Sequence, residues 1–189
     1  SVYGVGIIGA KYPVSEGSVK TKEYDLRCSM LRRCYSEKYQ KKQPTYEGCE
    51  VSDNFKSFEY FYEWCHKQIG FNNKGWHLDK DLLTKGNKVY SESTCVFLPN
   101  EINLALSTKK SQRGESLIGV RKTKTGYQSR CNIRGKNYSL GVFNTEIEAF
   151  NAYKQAKESY LKELANKWKD EIDTRAYNAL MNYQVEITD

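Results

Sequence analysis

The fold is decided by the stretch from Ile118 to Lys157, IGVRKTKTGYQSRCNIRGKNYSLGVFNTEIEAFNAYKQAK. Its first part predicts strands, because short runs that alternate apolar and polar residues end at glycine turns, Gly126 and Gly135. The predicted strands are Ile118–Lys122, Tyr127–Ile133 and Lys136–Phe143. Glycine supplies the backbone conformations that tight hairpins need, so the stretch predicts a three-stranded antiparallel sheet.

An amphipathic helix is predicted after the third strand. Asn144 or Thr145 is a suitable N-cap, and acidic residues follow in the first turn, where the helix dipole favours them. Apolar side chains then recur at a spacing of three to four residues, at Ile147, Phe150, Tyr153, Tyr160, Leu161 and Leu164. One face of this helix is expected to cover one face of the sheet.

The uncovered face of the sheet is predicted to be polar and basic. Side chains alternate along a strand, and the side chains expected to face the helix are Val120, Tyr127, Ser129, Cys131, Tyr138 and Leu140. The outward set is then Arg121, Thr123, Gln128, Arg130, Asn132, Asn137 and Ser139. Arginine can bind guanine edges or phosphates, and Asn or Gln can pair with adenine. A solvated surface has the same composition, so alternation alone leaves both interpretations open.

The distribution of charge favours contact with nucleic acid. The chain has a net charge of +7 and a pI of about 9.0. Between Thr108 and Tyr138 there are nine Lys or Arg residues and one acid, whereas residues 144–189 have six bases and nine acids. The basic stretch includes Lys109, Lys110 and Arg113, which precede the sheet. Positive charge confined to one part of a chain is the footprint expected for phosphate contacts.

Several short motifs in this stretch resemble the APETALA2-type DNA-binding domain, in the form appended to phage and mobile-element endonucleases. They are Gly119-Val120-Arg121, Gly126-Tyr127 with Arg130, the run Leu140-Gly141-Val142-Phe143-Asn144-Thr145, and Glu148-Ala149-Phe150 followed by Ala152-Tyr153 and Ala156. The resemblance implies that the sheet enters the major groove of double-stranded DNA. It also implies that the contacts are carried by Arg121, Gln128, Arg130, Asn132, Asn137 and Ser139. The tryptophans of the plant domain's sheet are missing, so its base preference is not carried over.

Length and charge segregation predict two domains. The 189 residues suffice for two small cores. We expect an α+β fold in two domains joined by a basic linker at 107–116. The first domain, at 1–106, should contain helices and a ββα-like module, and the second, at 117–189, a three-stranded sheet packed on a helix. No apolar run is long enough to span a membrane, so we expect no membrane partner and a location in the cytoplasm, of a bacterial host.

The six cysteines contain no C-x-x-C pair, and two histidines are too few to favour a zinc knuckle. Reduced and mostly buried thiols are therefore favoured over disulfides or a metal site.

The first half of the chain predicts a hairpin and two helices. The hairpin is expected at Tyr3–Tyr12, and the helices at about Lys22–Tyr39 and Asn54–Ile69, from their apolar spacing. Basic side chains in and after the first helix could form a solvated face or a phosphate clamp. They are Arg27, Arg32, Arg33, Lys38, Lys41 and Lys42.

The segment from Gly75 to Asn103, GWHLDKDLLTKGNKVYSESTCVFLPNEIN, resembles the ββα-metal module of HNH homing endonucleases. In that family an Asp-His pair ends the first strand. The Asp binds a divalent metal ion and the His activates water. A middle Asn orients the His, and a last Asn on the helix completes the metal site.

The match to that module is partial. Asp79 keeps the first metal position and Asn103 the last, but Lys80 stands in place of the His, and Thr94 or a neighbour in place of the middle Asn. A protonated lysine can neutralise phosphate but does not readily accept a proton from water. It also repels a cation bound at Asp79.

Other residues of the segment leave alternatives open. His77 lies on the same strand face as Asp79 and Asp81, so it is either a displaced base or an ordinary strand histidine. The two aspartates could hold Mg²⁺ through oxygen ligands. Asp81, Asn87 and Ser91 could equally be turn residues.

Two functions follow from these residues and resemblances. The favoured one is a sequence-specific DNA-binding protein, derived from a homing endonuclease, that has lost cleavage and represses transcription without a cofactor. The alternative is an HNH-type DNA endonuclease that depends on Mg²⁺ and uses Asp79, Asp81 and Asn103 with an unusual base. The replacement of the family His by Lys80 favours the binder.

Overall fold

The computed structural model describes residues 1–108 and 115–189. Within them lie seven α-helices and nine strands, which confirms the predicted α+β class. The chain forms two compact units, Ser1–Leu98 and Pro99–Asp189. The helix at residues 100–106, which the sequence assigned to the first domain, therefore groups with the second unit. The predicted linker residues Lys109, Lys110 and Arg113 lie outside the described residues.

The first unit combines short helices with small two-stranded sheets. Its helices are α1 (Lys22–Tyr35), α2 (Glu37–Lys42), α3 (Asp53–Lys56) and α4 (Phe58–Lys67). Its strands are β1 (Ser15–Glu16), β2 (Val19–Lys20), β3 (Glu50–Val51), β4 (Trp76–Asp79), β5 (Val89–Tyr90) and β6 (Val96–Pro99). Strand β1 pairs with β2, β3 with β5, and β4 with β6. Strand β6 ends at the first residue of the second unit.

Each of the two predicted helices is divided by a serine. Ser36 follows the last residue of α1 and is also the N-cap of α2, where its side chain accepts a hydrogen bond from the backbone nitrogen of Tyr39. Ser57 caps α4 in the same way by accepting from the backbone nitrogen of Tyr60. A serine hydroxyl competes with the helical backbone and favours a cap. The apolar spacing continues across both breaks, so periodicity alone did not reveal them.

The prediction of a hairpin at Tyr3–Tyr12 is wrong. This segment forms isolated bridges, and Ile7 runs beside the break between α3 and α4, where its backbone nitrogen donates to the Lys56 carbonyl at 2.8 Å. The Arg27 side chain is fully buried and donates to the carbonyl of Ile7 at 3.0 Å and to two carbonyls at the end of α3. Arg27 is therefore a structural residue and not part of a phosphate clamp.

The cysteines are free thiols, as predicted. Five are buried, and four of those belong to the aromatic core of the first unit, at Cys34, Cys49, Cys65 and Cys95. Burial raises the pKa of both Cys34 and Cys95 to about 12, because a thiolate is poorly solvated there. These thiols are protonated at neutral pH and act as small apolar residues.

The second unit contains the predicted three-stranded antiparallel sheet. Its elements are α5 (Asn100–Leu106), β7 (Val120–Lys122), β8 (Tyr127–Ile133), β9 (Lys136–Phe143), α6 (Glu146–Trp168) and α7 (Thr174–Met181). The strand order is β7-β8-β9. Arg134 and Gly135 join β8 to β9 with φ angles of 52° and 77°, which is the two-residue turn that suits the strand twist.

Strand β7 begins at Val120, two positions later than predicted, because Gly119 turns the chain into the core. Gly119 has a φ of +75°, and a Cβ there would lie 2.1 Å from the ring of Tyr153. Ile118, before it, is buried against the same tyrosine and Cys131. The close approach of backbone and ring explains why glycine occupies this position.

Helix α6 covers the inner face of the sheet. Its N-cap is Thr145, which forms a reciprocal capping box with Glu148. Phe150 and Tyr153 pack with Cys131 in the core between helix and sheet. Two side chains that were expected to be buried between helix and sheet are exposed. Ile147 is 50% exposed, and Tyr138 is 48% exposed although it pairs with the buried Cys131 on the inner face.

In the part of the chain that the structure describes, no helix has the length and apolar character needed to cross a membrane.

Candidate nucleic-acid interface

The face of the sheet opposite α6, called here the outer face, presents the predicted polar residues in cross-strand rows. Arg121 on β7 pairs with Gln128 on β8, Arg130 pairs with Ser139, and Asn132 pairs with Asn137. Side chains directly opposite each other on antiparallel strands lie on the same face, about 5 Å apart at Cβ. Six of the seven predicted sheet contacts therefore share one surface.

A β-bulge in β9 adds an apolar residue to this surface. Ser129 pairs with Gly141 and Arg130 with Ser139, so Leu140 is the extra residue between them. Beyond the bulge the alternation changes phase, and Val142 pairs with Gln128 and is 55% exposed. Sequence reasoning missed Val142. The signal was the unbroken apolar run from Leu140 to Phe143 with a glycine inside it, which is typical of a bulge.

The polar side chains of the outer face are exposed, except for the half-buried Gln128, and they make few hydrogen bonds. The Gln128 amide donates to the Ser139 hydroxyl at 3.2 Å, and the Asn132 amide donates to the Asn137 side-chain oxygen at 3.3 Å. Arg130 is exposed, as are both asparagines. Hydrogen bonds between exposed side chains exchange readily with water or a ligand, so the amides remain able to bind base edges.

Thr123 differs from the other predicted contacts. It follows the end of β7, and its hydroxyl donates to the carbonyl of Gly126 at 3.0 Å. The hydroxyl proton is therefore engaged in the turn between β7 and β8. Thr123 stays a predicted contact, but its role in the structure is to close that turn.

Positive charge dominates the surroundings of the outer face. Between residues 115 and 143 the chain has six Lys or Arg residues and one acid, Glu115. At the tip of the hairpin the Arg134 guanidinium forms an ion pair with Glu163 of α6. Arg121 and Arg130, in contrast, have no ion pair within the described residues. Their guanidinium groups are suited to phosphate or guanine.

The segment that resembles the HNH module forms a self-bonded loop from Asp79 to Asn87. The Oδ2 atom of Asp79 accepts the backbone N–H groups of Asp81 at 2.9 Å and Leu82 at 2.8 Å. Burial raises the pKa of the Asp79 carboxyl, against the lowering effect of these two hydrogen bonds. Asp79 thus ends β4 by capping a turn.

Lys80 and Asn87 hold the other side of this loop. The Lys80 ammonium is buried and donates to Asp81 Oδ1 at 2.5 Å and to the Asn87 carbonyl at 2.9 Å. The Asn87 amide donates to the carbonyls of Lys80 at 2.8 Å and Val89 at 2.6 Å. The polar groups of the segment are therefore largely used by the segment itself.

The other residues that the HNH resemblance singles out are His77, Thr94 and Asn103. His77 is exposed on β4, and the Thr94 hydroxyl donates to the Val89 carbonyl at 2.7 Å. Asn103 lies on α5, in the other compact unit from Asp79.

The residues present do not fit a divalent cation. The Lys80 ammonium already forms an ion pair with Asp81 Oδ1, and it would repel a cation bound beside it. Among residues 1–108 and 115–189, no three His, Cys, Asp or Glu side chains form a group that could bind a metal ion.

Comparisons with protein-family models, with curated proteins and with solved structures give no match to this chain.

Proposed function

We propose that this protein binds double-stranded DNA sequence-specifically by laying the outer face of its sheet in the major groove. We further propose that it derives from a homing endonuclease, has lost cleavage, and represses transcription in the cytoplasm of a bacterial host. The observation that carries this proposal is the set of three cross-strand rows, Arg121–Gln128, Arg130–Ser139 and Asn132–Asn137, on one exposed face.

The dimensions and chemistry of the face support the proposal. Three strands spaced about 4.8 Å apart make a backbone about 10 Å wide, and the major groove is about 12 Å wide. Arg, Gln and Asn side chains project from this backbone, and they are the types that pair bidentately with guanine and adenine. An adjacent apolar Val142 adds a group suited to the thymine methyl.

The endonuclease alternative is less well supported by the Asp79–Asn87 loop. A general base contributes about 10²–10⁴-fold to such reactions, and the position of the family's base is occupied by Lys80. Its ammonium donates to Asp81 and Asn87, so two of its three donors are used within the loop. These contacts account for Lys80 as a structural residue.

The test of the proposal is a gel shift beside a cleavage assay. Purified protein is incubated with phage genomic DNA in Mg²⁺ or Mn²⁺, and both the shift and any cleavage are recorded. In a separate experiment, the preferred binding site is selected from a library of random DNA sequences. We expect a shift without cutting. Asp79→Ala should shift the same DNA as the wild type.

The endonuclease hypothesis would replace the DNA-binding hypothesis if the wild type nicks DNA in the presence of Mg²⁺ and Asp79→Ala loses the nicking but still shifts the DNA. Lys80→His is a second check. We expect no cleavage from it, because the new imidazole would lie in the buried position of Lys80 beside the Asn87 carbonyl.

A further inference from the structure

A cleft of about 1030 Å³ lies within the second unit, between α5, α6 and the tip of the β8–β9 hairpin. Asn132 and Asn137 border the cleft on the hairpin side, and both also belong to the outer face. Lys157 and Tyr160 border it on the α6 side. The cleft therefore continues from the proposed DNA-binding surface toward the helix behind it.

Lys157 brings a buried positive charge to this cleft. The residue is 8% exposed, and its ammonium donates to the carbonyl of Ala105 in the last turn of α5. Burial lowers the pKa of Lys157, and no carboxylate of the described residues opposes this effect. An ammonium has three donors, and buried charges are normally paired with an opposite charge. The carbonyl supplies one acceptor but no compensating charge.

The acids at the rim of the cleft are already neutralised. Glu101 Oε2 lies 2.6 Å from the Lys167 ammonium and accepts a hydrogen bond from the Trp168 indole at 3.0 Å. Glu163 is paired with Arg134. Lys157 is therefore the uncompensated charge among the lining residues that the structure describes.

We propose that this cleft binds a phosphate group at Lys157. A phosphate offers several acceptor oxygens, and the amide of Asn137 and the hydroxyl of Tyr160 are further potential donors at the wall. The volume is far larger than a carboxylate needs, and it admits a sugar or base attached to the phosphate. The phosphate belongs either to a DNA strand that leaves the outer face or to a free phosphorylated compound. The first source rests on the proposed function.

The DNA arm of the test measures the dependence of affinity on salt. Neutralising one phosphate contributes about 0.9 to the slope of log K against log salt concentration. Lys157→Met keeps the length of the side chain and removes the charge, and Lys162→Met makes the same change at an exposed position of α6. If the source is DNA, the slope falls by about 0.9 in Lys157→Met and is unchanged in Lys162→Met.

The second arm titrates inorganic phosphate in the absence of DNA, by calorimetry. If the source is a free compound, wild type and Lys162→Met bind phosphate, whereas Lys157→Met binds it at least tenfold more weakly and the salt slope for DNA is unchanged. Equal behaviour of all three proteins in both arms overturns the proposal. Absence of DNA binding by the wild type would refute the proposed function, and the phosphate arm would still decide the cleft.

A third measurement uses only the wild type, so it tests the proposal even if Lys157→Met does not fold. Mass spectrometry follows reductive methylation of Lys157 and of the exposed Lys162, with and without phosphate or DNA. Bound phosphate should slow the labelling of Lys157 by at least fivefold and leave Lys162 unchanged. Equal labelling rates of Lys157 with and without both ligands contradict the proposal.

Discussion

The outer face of the sheet and the Asp79–Asn87 loop are both rich in polar residues that suggest chemistry, but they use their hydrogen bonds differently. In the loop, Asp79 accepts from the backbone of Asp81 and Leu82, and Asn87 donates to the backbone of Lys80 at the other end of the loop. On the outer face, the Gln128 amide donates to the Ser139 hydroxyl and the Asn132 amide to the Asn137 side chain, both exposed residues. Polar groups that a loop has satisfied internally are not free to bind a ligand, whereas those of the sheet are.

The physical origin of this difference is backbone geometry. In a turn, a short polar side chain reaches nearby N–H and C=O groups, and Asp and Asn do so especially well. In a strand, the backbone groups are engaged in the ladder, and the side chains stand away from it. The same residue types therefore stabilise structure in one region and stay available for recognition in the other.

The largest expected effect is on DNA affinity, which substitutions on the outer face should reduce and substitutions in the Asp79–Asn87 loop should not. The triple variant Arg121→Ala, Gln128→Ala, Arg130→Ala should lose specific binding by about 3 kcal/mol or more, at about 1–3 kcal/mol for each bidentate contact. That corresponds to a change on the order of 10²-fold in Kd. The double variant Asp79→Ala, Asp81→Ala should change Kd by less than about twofold.

Fluorescence anisotropy with the selected DNA site measures both variants of this pair. Lys162→Ala, which removes an exposed charge from α6, is the control for a general loss of positive charge. A triple variant that binds as tightly as the wild type would show that the outer face does not contact the DNA.

The next effect concerns stability, where a substitution in the Asp79–Asn87 loop should cost more than one on the outer face. Asn87→Ala removes two donated hydrogen bonds and one accepted from the Val89 backbone, and it should destabilise the first unit by about 2–3 kcal/mol at about 1 kcal/mol each. Asn132→Ala removes one exposed hydrogen bond and should cost below about 0.5 kcal/mol. Urea unfolding measures both changes. Equal losses would mean that the loop is no more self-bonded than the outer face.

The sheet could be predicted from the sequence because its signals are local. Gly126 and Gly135 mark the turns, alternation marks the faces, and Thr145 and Glu148 mark the start of α6. The phase change at Leu140 required a knowledge of strand pairing, because a bulge is defined by what lies opposite it. Val142 was therefore missed.

The first unit could be predicted less well because its signals depend on distant contacts. The division at Ser57 coincides with the pairing of Ile7 alongside it, fifty residues earlier in the chain, and this pairing is held by the buried Arg27. A basic residue in a helix gives no local indication of burial. The resemblance of the Gly75–Asn103 segment to a metal module likewise could not show that the Lys80 ammonium forms an ion pair with Asp81.

A smaller effect tests the environment of Asp79 through pH. Burial raises the pKa of this carboxyl in the folded state, so the folded protein binds its proton more tightly than the unfolded chain does. The contribution of Asp79 to stability is therefore greatest at acid pH and declines as the pH rises from about 4 through the folded pKa. Asp79→Asn keeps an acceptor for the two backbone N–H groups and does not titrate.

The unfolding free energy of Asp79→Asn relative to wild type should therefore increase between about pH 4 and pH 7. Urea unfolding at a series of pH values measures the difference, and Asp53→Asn is the control. Asp53 is exposed, and its hydrogen bond from Lys56 lowers its pKa, so the stability it contributes is lost as the pH falls. Its variant should show the opposite trend. A flat difference for Asp79→Asn would contradict the assigned burial.

The smallest expected effect concerns Val142, an exposed apolar residue of the outer face. Val142 stands opposite Gln128 and is 55% exposed, so in a DNA complex it is placed to contact a thymine methyl. Val142→Ser should weaken binding by about 0.8 kcal/mol, the value of one buried methylene, or about fourfold. Replacing that thymine with deoxyuridine should weaken wild-type binding equally and leave Val142→Ser unaffected.

Ile147→Ser, at an exposed position of α6, is the control, and it should respond to deoxyuridine as the wild type does. If deoxyuridine weakens Val142→Ser and wild type alike at every thymine of the site, Val142 does not contact a methyl group, and recognition by this face is confined to its polar rows.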